Sequence, residues 1–146
     1  MICCIIQART GSTRLPKKVI QKIDSKYTVL DYVINQVKCC KKIGKIIVAT
    51  TDLIEDDIIC EYANLQKIEC FRGSSEDVLD RFYQCAKKKF VDSIVRVTAD
   101  NPLIDPNIID MIIDEYENKK CDFITNTLNR TFPYGTEVEI FSFQSL

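Results

Sequence analysis

Short apolar runs alternating with helix-patterned segments constrain this chain more than any single residue does. β-type runs fall at residues 2–8, 46–49, 70–71, 93–98 and 123–125, each closed by a turn signal and mostly followed by apolar residues at helical spacing. That alternation builds a parallel sheet covered by helices. The first run, residues 2–8, is almost wholly apolar, as a strand buried on both faces must be. After the polar loop 9–18, Thr28 reads as the N-cap of a helix carrying Val29, Leu30, Val33, Ile34 and Val37 on one face. Residues 55–64 give a second helix, with Ile58, Ile59 and Tyr62 together. Ser74 with Asp77 forms a capping arrangement ahead of Val78, Leu79, Phe82, Cys85 and Ala86, and Asp105 with Pro106 opens a helix over 104–117. A sixth strand is expected over 138–143. With 146 residues and no linker, low-complexity tract or repeat, the expectation is one α/β domain over 1–146, a three-layer, open, mostly parallel sheet.

Twenty basic against 21 acidic residues leave a net charge of −1 with no basic stripe, which argues against duplex nucleic acid as the main partner. No apolar stretch near the start approaches the roughly 20 residues that cross a bilayer, and no export signal is visible. A cytoplasmic protein without a membrane partner is expected. The eight cysteines, at 3, 4, 39, 40, 60, 70, 85 and 121, lie mostly inside apolar runs, so all eight are expected to be reduced thiols. The chain has no histidine and no C-x₂₋₄-C pair, which disfavours structural zinc. The same lack of histidine excludes Ser-His, Cys-His and His general-base catalysis.

Ligands of such sheets sit beyond the carboxyl ends of the strands, where loops 9–18, 50–57, 72–77, 98–105 and 126–137 gather. These loops carry Arg9, Arg14, Lys17, Lys18, Arg72 and Arg130 beside Asp52, Asp77, Asp100, Asp105 and Glu137, a mixture suited to a metal-chelated polyphosphate. The first, Q-A-R-T-G-S-T-R-L-P-K-K, sets small residues where a backbone can approach an anion and flanks them with cations. It is neither a Walker P-loop nor G-x-G-x-x-G, and on its residues alone it is either a phosphate loop or a solvated basic turn. Asp77 and Arg81 are spaced for an i, i+4 ion pair or for contact with substrate or base. Asp105 is read as a helix cap, and Arg96, inside a strand, needs a buried acidic partner. Glu137 and Glu139 alternate, share a face, and either bind a sugar or form a charged sheet edge.

Taken in order, residues 7–18, V-A-T-T at 48–51, F-R-G-S at 71–74, E-D-V-L-D-R-F at 76–82, R-V-T-A-D-N-P-L-I-D-P at 96–106, T-N-T-L at 125–128, and F-P-Y-G with E-V-E within 130–143 resemble a known family. It is the cytidylyltransferase family that activates acidic sugars as CMP conjugates, in its spore coat polysaccharide biosynthesis protein F branch. The resemblance implies a nucleotide-diphosphosugar transferase fold of Rossmann-like type, CTP and a sugar acceptor as partners, and Mg²⁺ as cofactor. It implies transfer of CMP to a sugar hydroxyl with release of pyrophosphate, for polysaccharide or glycan synthesis. By that likeness Ala8, Arg9, Gly11, Ser12, Arg14, Lys18, Thr51, Arg72, Asp77 and Asp100 contact the nucleotide. Arg14 and Lys18 act on the reacting phosphates, Asp100 is a metal ligand, and Arg81, Glu137 and Glu139 contact the acceptor. Lys17 stands where the family commonly has Gly. The family's domain usually continues beyond residue 146, with another metal-binding carboxylate in that later part. Two alternatives therefore stand beside catalysis: an inactive or regulatory nucleotide-binding remnant, and a nucleotidyltransferase using another base. Apolar surface near the last residues leads to the expectation of a homodimer.

Overall fold

The computed structural model describes residues 1–146. Its strands are β1 (Ile2–Gln7), β2 (Lys45–Thr51), β3 (Glu69–Gly73), β4 (Ser93–Thr98), β5 (Phe123–Thr125) and β6 (Glu139–Ser142). Its helices are α1 (Val29–Lys38), α2 (Asp57–Leu65), α3 (Val78–Lys89) and α4 (Pro106–Lys119), with short 3₁₀ turns at Lys18–Ile20, Ile54–Asp56 and Phe143–Ser145. One sheet holds all six strands in the order β3-β2-β1-β4-β6-β5. β1 pairs in parallel with β2 and β4, β3 in parallel with β2, and β6 runs antiparallel to both β4 and β5.

The apolar run of β1 explains its central place. Cys3, Cys4, Ile5 and Ile6 are all fully buried, so both faces of the strand need cover. On one face Cys4 and Ile6 join Leu30, Val33 and Ile34 of α1, Ile59 of α2 and Ile109 and Ile113 of α4 in a core of 20 buried residues. On the other, Cys3 and Ile5 join Phe71 and α3's Phe82, Cys85 and Ala86 in a core of 10. Three helices thus cover one face and a single helix the other, giving three layers. Gly73 permits the close seating of α3, because a Cβ there would lie 2.9 Å from the Phe71 ring and 3.1 Å from Arg81 Cγ.

The helices begin where side chains can satisfy their free N–H groups. Thr28 and Asp31 form a reciprocal capping box at α1, Asp77 Oδ1 accepts from Asp80 N at α3, and Asp105 caps α4 ahead of Pro106. Ser74 is therefore not the cap of α3; its hydroxyl accepts from the N–H of Asp77, one turn earlier. α2 starts at Asp57 rather than 55 because Ile54–Asp56 forms a 3₁₀ turn. β6 is shorter than the expected 138–143, since Val138 N donates to the Asn126 side chain and 143 enters the 3₁₀ turn.

Two side-chain expectations change. The Asp77–Arg81 ion pair does not form: Arg81 is fully buried, and its Nη1 donates instead to the Ser74 carbonyl at 2.7 Å. The cysteines are not all free thiols, for Cys60 on α2 and Cys70 on β3 form a disulfide with Cα atoms 5.4 Å apart. α2 packs over β3, and that adjacency in space is invisible in a pair of apolar sequence runs. The other six are free, and burial pushes the Cys3 and Cys85 thiols up to about 12. Arg96 does find its partner: it faces Glu139 across the β4–β6 register, Nη1 to Oε2 at 2.6 Å, and also reaches Gln7 Oε1.

Candidate nucleotide site

β1 lies where the strand order reverses, with β2 on one side and β4 on the other, and a crevice opens beyond such a switch point. Main-chain bonds Ala8 N to Ala49 O at 3.1 Å and Ala99 N to Gln7 O at 2.9 Å carry the sheet just past the strand ends before the loops diverge. Between loops 9–18 and 98–105 lies a cleft of about 260 Å³. Its wall brings together Arg9, Ser12, Arg14, Lys18 and Asp100, along with Gln7, Thr13 and Thr98, which the sequence reading did not single out. Gln7 and Thr98 are the last residues of β1 and β4; a polar residue closing an apolar strand was the available signal.

The loop itself hangs on Thr10. Its carbonyl accepts from Ser12 N at 2.8 Å and from Lys17 N at 2.9 Å, and Lys17 takes a left-handed conformation at φ 57° to make that closure. A left-handed residue is easiest for glycine, so Lys17 carries backbone strain that a glycine there would not. Ser12 N–H is therefore committed inside the loop. The N–H groups of Gly11, Thr13 and Arg14 have no acceptor in the protein, and a Cβ on Gly11 would meet nothing within 4 Å. Free N–H groups in a loop with Arg9, Arg14 and Lys18 are the donors and charges that an anion could use.

Asp100 follows β4 directly and is the one carboxylate on the cleft wall. Lys18 Nζ donates to Asp100 Oδ2. Partial burial raises the Asp100 carboxyl, but hydrogen bonds from Lys18 and Thr98 outweigh it and hold the group below the usual carboxylate range. No cluster of three or more His, Cys, Asp or Glu side chains forms a ready metal cage.

The remaining sequence-selected residues lie around this cleft rather than in it. Ala8 is buried under the loop, and Thr51, at the end of β2, donates its hydroxyl to Asp56. Arg72 is tied to Asp57 and to the carbonyls of Thr51 and Leu53, and Asp77 caps α3. Arg81 stands behind the loop, near enough to Arg9, Asp52 and Asp56 to feel their charges, and burial lowers its pKa first of all. Its Nε and Nη2 have no partner. Glu137 accepts from Arg130 at 2.6 Å, Gly135 N at 2.9 Å and Asn101 Nδ2 at 3.3 Å, fastening loop 126–137 beside Asp100; Glu139 is held by Arg96.

Residues 3–146 match the sequence profile of the cytidylyltransferase family. The chain belongs to that family. It is 37% identical over 126 residues to the spore coat polysaccharide biosynthesis protein SpsF of Bacillus subtilis, a match covering 84% of this chain and 52% of that one. It is 33% identical over 117 residues to the 3-deoxy-manno-octulosonate cytidylyltransferase of Trichlorobacter lovleyi, covering 79% of this chain and 44% of the relative. A solved cytidylyltransferase from Leptospira borgpetersenii serovar Hardjo-bovis superposes with a TM-score of 0.92 at 37% identity, covering 99% of this chain and 61% of that one. The chain thus spans about half the length of the curated relatives it matches. The matching structures share its Rossmann-like α/β nucleotidyltransferase fold. No helix is long and apolar enough to cross a membrane.

Proposed function

We propose that this chain transfers CMP from CTP to a hydroxyl of an acidic sugar, releasing pyrophosphate. The observation that carries the reading is the cleft that gathers Arg9, Arg14 and Lys18 with Asp100, walled by a loop with unpartnered N–H groups, at the strand-order reversal of a family fold. An in-line attack on the α-phosphorus calls for positioning and charge stabilisation, not for a protein nucleophile, and so suits a chain without histidine. The Gly11, Thr13 and Arg14 amides hold phosphate oxygens in place. Arg14 grips two oxygens with its planar fork, and Lys18 offsets charge as a point cation. Asp100 is the carboxylate that would hold Mg²⁺, and its single-carboxylate setting fits an ion that keeps waters and takes its other ligands from nucleotide phosphates. When bound, that ion supplies Lewis-acid charge neutralisation. On the acceptor side, Glu137 accepts from Asn101 and is paired with Arg130, a cation that an acidic sugar could engage, and Glu139 follows on β6, held by Arg96. Pairing of two copies through the apolar groove of Leu79, Phe82, Phe123, Phe141 and Leu146 belongs to the same proposal, and light scattering reads it.

Thermal unfolding with each of four nucleoside triphosphates and Mg²⁺, paired with a pyrophosphate-release assay on acidic sugars, tests the reading. CTP at a hundredfold excess over its Kd adds about 2.7 kcal/mol, and ATP, GTP and UTP add less. Equal shifts for all four reject the cytidine assignment. Selective CTP binding with no pyrophosphate release rejects catalysis and leaves a nucleotide-binding module.

A further inference from the structure

We propose that Asp56, which no sequence motif singles out, is the positioning residue that holds the anion-binding loop in shape. The assignment rests on the nucleotide site proposed above and names the group that builds it. Asp56 is 1% exposed. It occupies the N-cap position of α2, where an aspartate ordinarily accepts from its own helix, yet its side chain makes no capping bond. The carboxylate reaches back across 46 positions: Oδ1 accepts from Thr10 N at 2.7 Å and from Thr10 Oγ1 at 2.6 Å, and Oδ2 accepts from Thr51 Oγ1. Forgoing a local cap for a distant loop places the side chain's purpose in that loop.

The hydrogen bonds continue from there. Thr10 is fixed at its N–H by Asp56, and its carbonyl gathers Ser12 N and Lys17 N. Beyond Thr10, residues 11–16 are braced by little else: Ser12 Oγ accepts from Leu15 N at a long 3.4 Å, and the Leu15 and Pro16 carbonyls accept from Lys18 N and the Gln21 side chain. Removing the Asp56 carboxylate therefore frees the pivot around which the unpartnered amides of Gly11, Thr13 and Arg14 are arranged. A negative charge close behind an anion site opposes anion binding on Coulombic grounds. The charge of Asp56 therefore does not favour the anion, and its contribution to the site is the geometry it gives the loop through Thr10 N and Oγ1. Burial alone would raise the Asp56 carboxyl, but the Thr10 and Thr51 hydrogen bonds outweigh it, and the carboxylate stays charged.

Isothermal titration of the whole chain with inorganic tripolyphosphate, CTP and cytidine, each with Mg²⁺, separates loop geometry from general damage. Asp56→Ala, which removes the acceptor, loses about tenfold in affinity for tripolyphosphate and CTP alike, while cytidine affinity holds, and Asp56→Asn, whose side-chain oxygen can still accept both Thr10 bonds, keeps most of it. Thr10→Val, which removes one of the two Thr10 bonds, loses a smaller factor in the same pattern, and Thr10→Ser restores wild-type binding. Should Asp56→Ala fail to fold, the Thr10 pair decides. Unchanged tripolyphosphate affinity in a folded Asp56→Ala or in Thr10→Val overturns the inference, as does an equal loss for cytidine. A wild-type chain that binds neither CTP nor tripolyphosphate rejects the nucleotide site itself, a separate failure.

Discussion

Replacing Arg81 by Met should make the unliganded protein more stable and, by removing a cation close to Arg9, weaken its nucleotide binding. Met keeps the aliphatic stem that packs by Gly73 and removes the guanidinium. That guanidinium is fully buried with two of its donor atoms, Nε and Nη2, unpartnered. A buried donor left unsatisfied costs about 1–3 kcal/mol, so the pair costs roughly 2–6 kcal/mol. Against this stands the Nη1 bond to the Ser74 carbonyl, worth about 1.5–3 kcal/mol for a charged donor. The middle of those ranges favours Met by about 2 kcal/mol, or roughly 4–8 °C in Tm for a domain of this size. Thermal unfolding of Arg81→Met without ligand, followed by CTP titration, measures both effects. A variant destabilised by about 2 kcal/mol or more whose CTP affinity is unchanged would show that Arg81 merely holds the 73–77 loop to α3, and would refute the reasoning.

Lys17→Gly should stabilise the protein by roughly 0.5–1 kcal/mol, because relief of about 1–2 kcal/mol of left-handed strain exceeds the backbone entropy that glycine adds to the unfolded chain; urea unfolding reads it, and a loss of stability would contradict it. Alkylation of the denatured, unreduced protein should label the six free cysteines, and reduction should then expose the Cys60 and Cys70 thiols. Full labelling before reduction would disprove the bridge. Hydrogen bonds from Lys45 and Lys89 hold the Glu69 carboxyl below its usual 4.5. A depressed carboxyl stabilises the fold above its unfolded value and loses that contribution as pH falls through its folded value. Glu69→Gln should therefore lose less stability than wild type between about pH 6 and pH 3, as Tm against pH will show; parallel curves would exclude the pair as a source of acid sensitivity.

The parts of the fold legible in the sequence were those that depend on near neighbours. The fully apolar run at β1 announced a central strand, Thr28 and Asp105 announced helix starts, and Arg96 inside a strand announced an acid, found in Glu139. The cleft residues Arg9, Arg14, Lys18 and Asp100 were legible because they sit in loops that a parallel sheet must gather at one edge. What escaped depends on which elements pack together. Asp56 fell inside the helix expected over 55–64, and nothing near it in sequence points to Thr10. Cys60 and Cys70 looked like separate apolar positions until α2 lay on β3. Arg81 looked like the partner of Asp77, whose carboxylate the helix start takes instead.

Insertion of β6 between β4 and β5 sets an order of assembly. β5 meets the sheet only through β6, so the segment made first must wait for the segment made second. On a ribosome adding about 5–20 residues per second, that wait lasts on the order of a second or more. Meanwhile β3, β2, β1 and β4 can already form a parallel sheet whose β4 edge is bare. Arg96 lies on that edge strand, and a charge inside an otherwise apolar strand discourages pairing with a foreign chain. The side chain that later grips Glu139 thus guards the nascent edge until its own strand arrives.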